Sequence, residues 1–490
     1  MYVIGLDIGT TCTKALLADD KGNVLGISSS SYSLISNGCK IEQCAEDWIK
    51  ASVLAIKEVL YNKDVTKVGG ISLSTQGAST VAINHEGRFI GNALTWMDTR
   101  AQKDAEEIEQ ELGDAYIYRT SGWKINPALD AAKQRYMKRD NTFSNAKKYL
   151  STLEVLNRFL TGNAVIDPTN AAIRQLYNVE DNCWDKKLLE AAHTTEDELP
   201  EVLPTGAKIG VLTKEAASKL GVPEGIPVFN GAHDQYCASI GAGAVHEGDM
   251  LLSAGTTWVL MGVGSKPLFT KSYIAPGKHP VEGLYGAIAS LVCSGASLQW
   301  FKNEFIPEDF DKMNEEAVGR RKKCKDLFFY PYLAGANYPI WETNAKGSFI
   351  GLGLEHDRFD FARAIMEGVA FGVKRGVTDF QANGCEINQI LMMGGASKSA
   401  LWCQMIASIT NIPILRLNQS DVCALGAAMI ALCGLGIYQD YEQAAKAMVY
   451  TEQVYQPIPE EVEFYREKFA KYDKMWTMMQ EYYKSTRKEI

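Results

Sequence analysis

The most regular pattern of apolar and polar positions lies at the start of the chain. Tyr2 to Ile8 reads as an apolar strand with Asp7 near its end, and Gly9-Thr10-Thr11 follows as a turn. Thr13 to Ala18 returns as a second strand, Asp19 to Asn23 supplies turn residues, and Val24 to Ser28 is a third strand, which predicts a β-meander. Beyond it the period changes. Ala45 to Tyr61 has helical spacing, Val68 to Ser74 and Thr80 to Ile83 read as strands, and Glu86-Gly87 is a turn. Strands mixed with helices in this way predict α/β layers.

The opening pattern recurs. Met250 to Ser253 is an apolar strand, Gly255-Thr256-Thr257 a turn, and Trp258 to Val263 the returning strand. One tripeptide in one structural setting, once in each half, predicts two related domains facing a shared site. The boundary is expected near Gly241 to Gly248, giving domains at 1–243 and 244–490. A chain of 490 residues is also longer than one ordinary core serves. Between the halves, the apolar run Val228 to Gly231 leads into Ala232-His233-Asp234-Gln235, with a small-residue helix expected over Tyr236 to Ala242. Along Pro459 to Lys484, Val462, Tyr465, Phe469, Tyr472, Trp476 and Met479 recur at spacings of three and four. That apolar face docks either on the chain's own core or on a partner helix.

Composition narrows the class. A net charge of −9 with 46% apolar residues describes a mildly acidic globular protein rather than a disordered or nucleic-acid-binding one. The dense basic run Arg320, Arg321, Lys322, Lys323 and Lys325 stands beside Glu315 and Glu316 and reads as a solvated helix face. The Ala- and Gly-rich stretch Cys423 to Tyr438 is shorter than the roughly 20 residues a membrane span needs and reads as a buried helix. Eleven Cys with no Cys-x-x-Cys pair, and no basic leader before the first strand, predict reduced thiols and a cytoplasmic protein.

The chemistry has to come from strand ends. The chain has no Gly-x-x-x-x-Gly-Lys-Ser/Thr and no convincing dinucleotide fingerprint, which weakens the P-loop and oxidoreductase readings. Nor does it contain Gly-x-Ser-x-Gly or His-x-x-x-His. The two Gly-Thr-Thr turns remain: plain hairpins, or turns whose amides and hydroxyls hold phosphate, with Lys14 adding charge. Asp7, a carboxylate on a buried strand, suits a Mg²⁺-bound water as partner. Asp234 either faces a cleft or caps the helix that follows. Gly394-Gly395-Ala396-Ser397, after the strand Ile390 to Met393 and before a helix over Ser399 to Thr410, is either a tight turn or bare backbone for a flat ligand. Gln76-Gly77-Ala78 and Trp96 to Arg100 are further polar or aromatic groups at strand ends, where ligand contacts commonly sit.

In this order the motifs resemble those of the FGGY carbohydrate kinases, over roughly Val3 to Tyr438. Asp7 to Thr11 is similar to the family's first phosphate hairpin, Gly255-Thr256-Thr257 to its second, and Asp234-Gln235 to its catalytic Asp and neighbour. Gln76 and Gly77 with Trp96, Asp98 and Arg100 resemble its sugar-site segments; Ser294 to Trp300, containing Gln299, and Gly394 to Ser399 resemble its nucleotide-side elements. The most specific likeness is Gly347 to Glu367, which fits the C-terminal motif of the family at Gly347, Phe349, Gly351, Leu352, Asp360, Phe361, Ala364, Ile365, Met366 and Glu367. Two segments depart from the pattern: Lys133-Gln134-Arg135-Tyr136 has Tyr where the family has Trp, and Gly77-Ala78-Ser79 stands where xylulokinases have Met-His-Gly.

The resemblance implies two ribonuclease-H-like domains of the actin-like ATPase type with a cleft between them. It implies transfer of the ATP γ-phosphoryl group to a sugar hydroxyl, the sugar being a ketopentose such as xylulose. Gluconate, glycerol or an erythritol-like acceptor, or a non-catalytic nucleotide binder of the same fold, are the alternatives. Asp234 is then the base and a substrate contact beside Gln235, and Asp7 and Asp234 hold Mg²⁺ through water. ATP lies against Gly9, Thr10, Thr11, Lys14, Gly255, Thr256, Thr257, Gln299, Gly394, Gly395, Ala396 and Ser399. The expected partners are the sugar and a second copy of the chain in a homodimer, with neither nucleic acid nor membrane.

Overall fold

The computed structural model describes residues 1–336, 338, 342, 344–419 and 421–485. The opening meander forms as β1 (Tyr2–Ile8), β2 (Cys12–Asp19) and β3 (Val24–Ser31), antiparallel neighbours in sequence order. The other edge of β1 pairs in parallel with β4 (Val68–Thr75), so β1 is central and buried while β3 lies at the edge with exposed positions. The strands Pro227–Phe229 and Lys208–Val211 extend the sheet beyond β4, and the two-residue strand Ala232–His233 pairs with the end of β4. Helix α1 (Asp130–Arg139) packs beside this half, and α2 (Asp234–Ala242) closes it. α2 begins two residues before the expected Tyr236.

The second half repeats the plan. β5 (Asp249–Ala254) and β6 (Trp258–Gly264) form an antiparallel hairpin, and β7 (Tyr285–Leu291) adds to β6. Helix α3 (Ser294–Phe305) and the 25-residue α4 (Arg358–Ala382) follow. β8 (Gln389–Met393) then pairs in parallel with β5, α5 (Ala400–Thr410) follows, and β9 (Ile414–Leu417) pairs in parallel with β8. Each Gly-Thr-Thr turn therefore closes a hairpin whose first strand has an antiparallel partner on one side and a later parallel strand on the other. The repeat in sequence rests on a repeat in topology.

Helix α6 (Val422–Gly434), ten of whose thirteen residues are buried, lies between the two sheets, in one cluster with Val3 and Leu16 of the first and Leu251 and Met261 of the second. Gly426 lets its backbone approach α2 closely, since a Cβ there would collide with the Cys237 carbonyl. This close approach seats α2 directly against α6. The final helix, α7 (Pro459–Ser485), docks on the chain's own core: Tyr465, Tyr472 and Trp476 are buried, and Tyr472 stacks on Tyr330 at 4.4 Å. The basic run follows the helix Phe310–Val318 rather than lying on it, and several of its charges are paired: Arg320 with Asp357, Arg321 with Glu461, and Lys323 with Asp360. Among the described residues no helix is long and apolar enough to cross a membrane.

Candidate active site

Asp7 sits at the end of β1, opposite Lys14 across the hairpin and Ser74 across the parallel pair. Ser74 Oγ donates to Asp7 Oδ1 at 2.8 Å. Burial raises the Asp7 carboxyl to about 7, the charge of Asp234 adds to the rise, and the Ser74 hydrogen bond and Lys14 oppose it. Lys14 Nζ donates to Asp421 Oδ1 at 2.6 Å, a link from the first hairpin to the start of α6. Burial works against that ammonium, but the hydrogen bond and charge of Asp421 outweigh it and hold its pKa above the ordinary value.

Asp234 reaches the same place by a different route. The pairing of Ala232 with Ser74 and His233 with Thr75 carries the chain alongside the end of β4, so that Asp234 and Gln76 emerge from adjacent strand ends. Asp234 is the first residue of α2; the capping position is His233, which makes no side-chain cap bond, so the helix-cap alternative for Asp234 does not hold. Its Oδ1 is buried without a hydrogen-bond partner, 3.2 Å from His233 Nε2. Oε1 of Gln235 and Oε1 of Gln76 are also buried and unpartnered. The His233 ring lies over Gly77, where a Cβ would come within 2.7 Å of it.

The first Gly-Thr-Thr turn is held from three sides. Tyr32 Oη donates to the Gly9 carbonyl at 2.5 Å, Gln43 Nε2 to the Thr10 carbonyl at 2.5 Å, and Trp96 Nε1 to Thr10 Oγ1 at 3.0 Å. Gln43 Oε1 in turn accepts from Gln76 Nε2 at 2.8 Å. Nearby, Arg100 binds both oxygens of Asp98 and also Glu42, while Asp98 accepts from the backbone N–H groups of Ile41 and Arg100. Gln43 and Glu42 are site neighbours that the sequence reading missed. They lie on a short strand, Lys40–Gln43, with no motif of its own.

The second turn is built differently. Gly255, Thr256 and Thr257 are exposed, and the Thr256 carbonyl accepts the Ala296 N–H of α3 at 3.0 Å. Gly394, at φ +96°, lies where a Cβ would meet the Ala254 carbonyl at 2.7 Å, so the Gly394-Gly395 turn abuts the end of β5. Gly395 faces open space and Ala396 follows it in a short 3₁₀ turn. Ser399 caps α5 through the Trp402 N–H at 3.2 Å and contacts Asn314 at 3.1 Å. Gln299 is exposed on α3 and bonds Asn303 at 2.8 Å. The expected sites thus fall into two groups, one around Asp7, Asp234 and Gln76, the other around the second turn.

Residues 2–241 match the N-terminal domain of the FGGY family of carbohydrate kinases, and residues 250–435 match its C-terminal domain. A xylulose kinase of Staphylococcus epidermidis is 28% identical over 484 residues, covering 97% of this chain and 96% of its own. A gluconokinase of Bacillus subtilis is 27% identical over 487 residues, covering 95% and 93%. The crystal structure of ligand-bound xylulose kinase from Lactobacillus acidophilus superimposes with a TM-score of 0.92 at 28% identity, covering 99% of each chain. The chain belongs to the FGGY family of carbohydrate kinases, sugar phosphotransferases that use ATP and share the actin-like ATPase fold.

Proposed function

We propose that this kinase phosphorylates a hydroxyl of a neutral sugar, a ketopentose such as xylulose, with Asp234 as the base. The observation that carries the proposal is the trio of buried, unpartnered acceptors at the ends of β4 and α2: Gln76 Oε1, Asp234 Oδ1 and Gln235 Oε1. Leaving a buried acceptor unsatisfied costs about 1–3 kcal/mol, and a polyol supplies the O–H donors that relieve it. Identity to relatives does not separate a ketopentose from gluconate, and charge favours the ketopentose. An aldonate brings a carboxylate, and the two cations beside these residues are engaged: Arg100 with Asp98 and Glu42, and Lys133 of α1 with the carbonyls of Ala78 and Leu94.

In this reading the two Thr-bearing turns hold the phosphates from either side, and Gly394, Gly395 and Ala396 line the nucleotide. Catalysis is then mainly positioning and charge compensation. Asp7 and Asp234 fit a Mg²⁺ bound through water: their charges oppose each other, and Asp7 is raised for that reason as well as by burial. When bound, the ion supplies charge neutralisation for the phosphates. Among the described residues no group of three His, Cys, Asp or Glu could hold a metal alone, which suits an ion whose shell is completed by water and phosphate. Asp234 takes the proton of the attacking hydroxyl, a role worth about 10²–10⁴ in rate. Closure of 1–243 against 244–490 excludes water from the transfer. A homodimer in the cytoplasm completes the proposal and is checked by light scattering and cell fractionation.

The test is ADP release over a panel of ketopentoses, polyols and aldonates at saturating ATP. Turnover with a ketopentose is expected. Turnover confined to an aldonate would remove the neutral-sugar reading, and ATP binding without turnover on any acceptor would leave a nucleotide binder.

A further inference from the structure

We propose that Lys133 is a positioning residue for the acceptor sugar, its buried ammonium tying together the two loops, 76–79 and 95–100, that flank the acceptor. The proposal rests on reading those loops as the sugar side of the site. Lys133 lies on α1 with no exposed surface, and Ala131, Ala132 and Met137 of the same helix are buried with it. A methionine would fill such a position at far lower desolvation cost than a lysine, so the charge needs a reason.

The reason is in its two bonds. Lys133 Nζ donates to the Ala78 carbonyl at 2.6 Å and to the Leu94 carbonyl at 3.2 Å. Ala78 is held at φ +49°, in the left-handed region that a residue with a Cβ avoids, and a charge-assisted bond to its carbonyl stabilises that turn. The turn in turn sets Gly77 under the His233 ring, beside Asp234. Leu94 leads directly into Thr95 and Trp96, and Trp96 bonds Thr10 of the first phosphate turn. One ammonium therefore fixes the wall next to Asp234 and the wall over Thr10.

Four charged groups face it. Asp130 and Asp98 favour its charge, while Arg100 and Arg174 oppose it, and the four pair among themselves as Asp98–Arg100 and Asp130–Arg174. No carboxylate is left to Lys133 alone, and burial lowers its pKa to about 8. The sign follows: the ammonium grips both carbonyls below pH 8, and the grip weakens as pH rises through that value.

The experiment is steady-state kinetics of Lys133→Met with D-xylulose and ATP, alongside thermal melts and the control Gln76→Ala. A folded Lys133→Met with sugar KM raised at least about tenfold, and ATP KM raised by a clearly smaller factor through the Trp96–Thr10 contact, is expected. Wild-type sugar KM should climb between about pH 7.5 and 9.5, and that of the variant should stay flat. If Gln76→Ala raises sugar KM and Lys133→Met does not, Lys133 only fills space and the proposal is overturned. If neither variant moves it, the loops are not the sugar side and the underlying reading fails instead. Should Lys133→Met not fold, the wild-type pH profile decides, and a flat sugar KM overturns the proposal.

Discussion

The two Gly-Thr-Thr turns sit on equivalent hairpins, yet their surroundings differ. The first is bonded by Tyr32, Gln43 and Trp96, and through Gln43 it is joined to Gln76. The second is exposed, with its Thr256 carbonyl bonded to a backbone N–H at the start of α3 and the Gly394 turn against the adjoining strand end at Ala254. On the proposed function, a turn wired to side chains on the acceptor side would sense both substrates, and a turn met by backbone would sense phosphate alone. The duplicated scaffold would then serve as a reacting end and a holding end through the residues placed around it, not through the turn sequence, which is the same in both.

The sharpest way to break that division is at the reacting end. Asp234→Asn is nearly isosteric, and because His233 rather than Asp234 occupies the cap position, the substitution removes no cap bond from α2. An amide is no base near neutral pH, so turnover should fall about 10²-fold or more while the melt and ATP affinity hold. Turnover above about a third of wild type in a folded variant would remove Asp234 as the base and turn attention to His233.

A smaller effect tests the wiring itself. Trp96→Phe keeps an aromatic face but removes the Nε1 donor to Thr10. The loss of one hydrogen bond, about 0.5–1.5 kcal/mol, should raise the KM of ATP and of sugar together, each about threefold to tenfold. A rise in one alone would show that the first turn does not couple the substrates.

How much of this could be read beforehand depended on range. The meander of Tyr2–Ile8, Cys12–Asp19 and Val24–Ser31 and the strand Thr80–Ile83 were legible because turn residues bound short apolar runs. The α/β class followed from those runs, and the actin-like architecture from the motifs. The wiring was not legible. Lys14 meets Asp421 across 407 positions, and nothing local to either residue signals the pair. Gln43 is one polar residue on a short strand. Lys133 did leave a trace: a lysine on a helix whose neighbours Ala131, Ala132 and Met137 are apolar or small. The start of α2 at Asp234 rather than Tyr236 was hidden because the pairing of Ala232–His233 with β4, a tertiary contact, decides it.

The smallest predicted effect lies at the holding end and bears most directly on the comparison. Thr256→Val preserves volume and branching and removes one hydroxyl from an exposed turn. The carbonyl bond to Ala296 is a backbone contact and survives, so the turn should keep its shape and the melt should not move. If that hydroxyl meets phosphate, ATP KM should rise about threefold to tenfold, the worth of one hydrogen bond, with sugar KM within about twofold of wild type. The contrast with Trp96→Phe is the point: one bond lost at each turn, two substrates affected at the first and one at the second. Unchanged ATP kinetics in Thr256→Val would make the second turn a structural hairpin. An equal rise in both KM values would instead mean that the turns act as one unit across the cleft, and that their different surroundings do not divide the work.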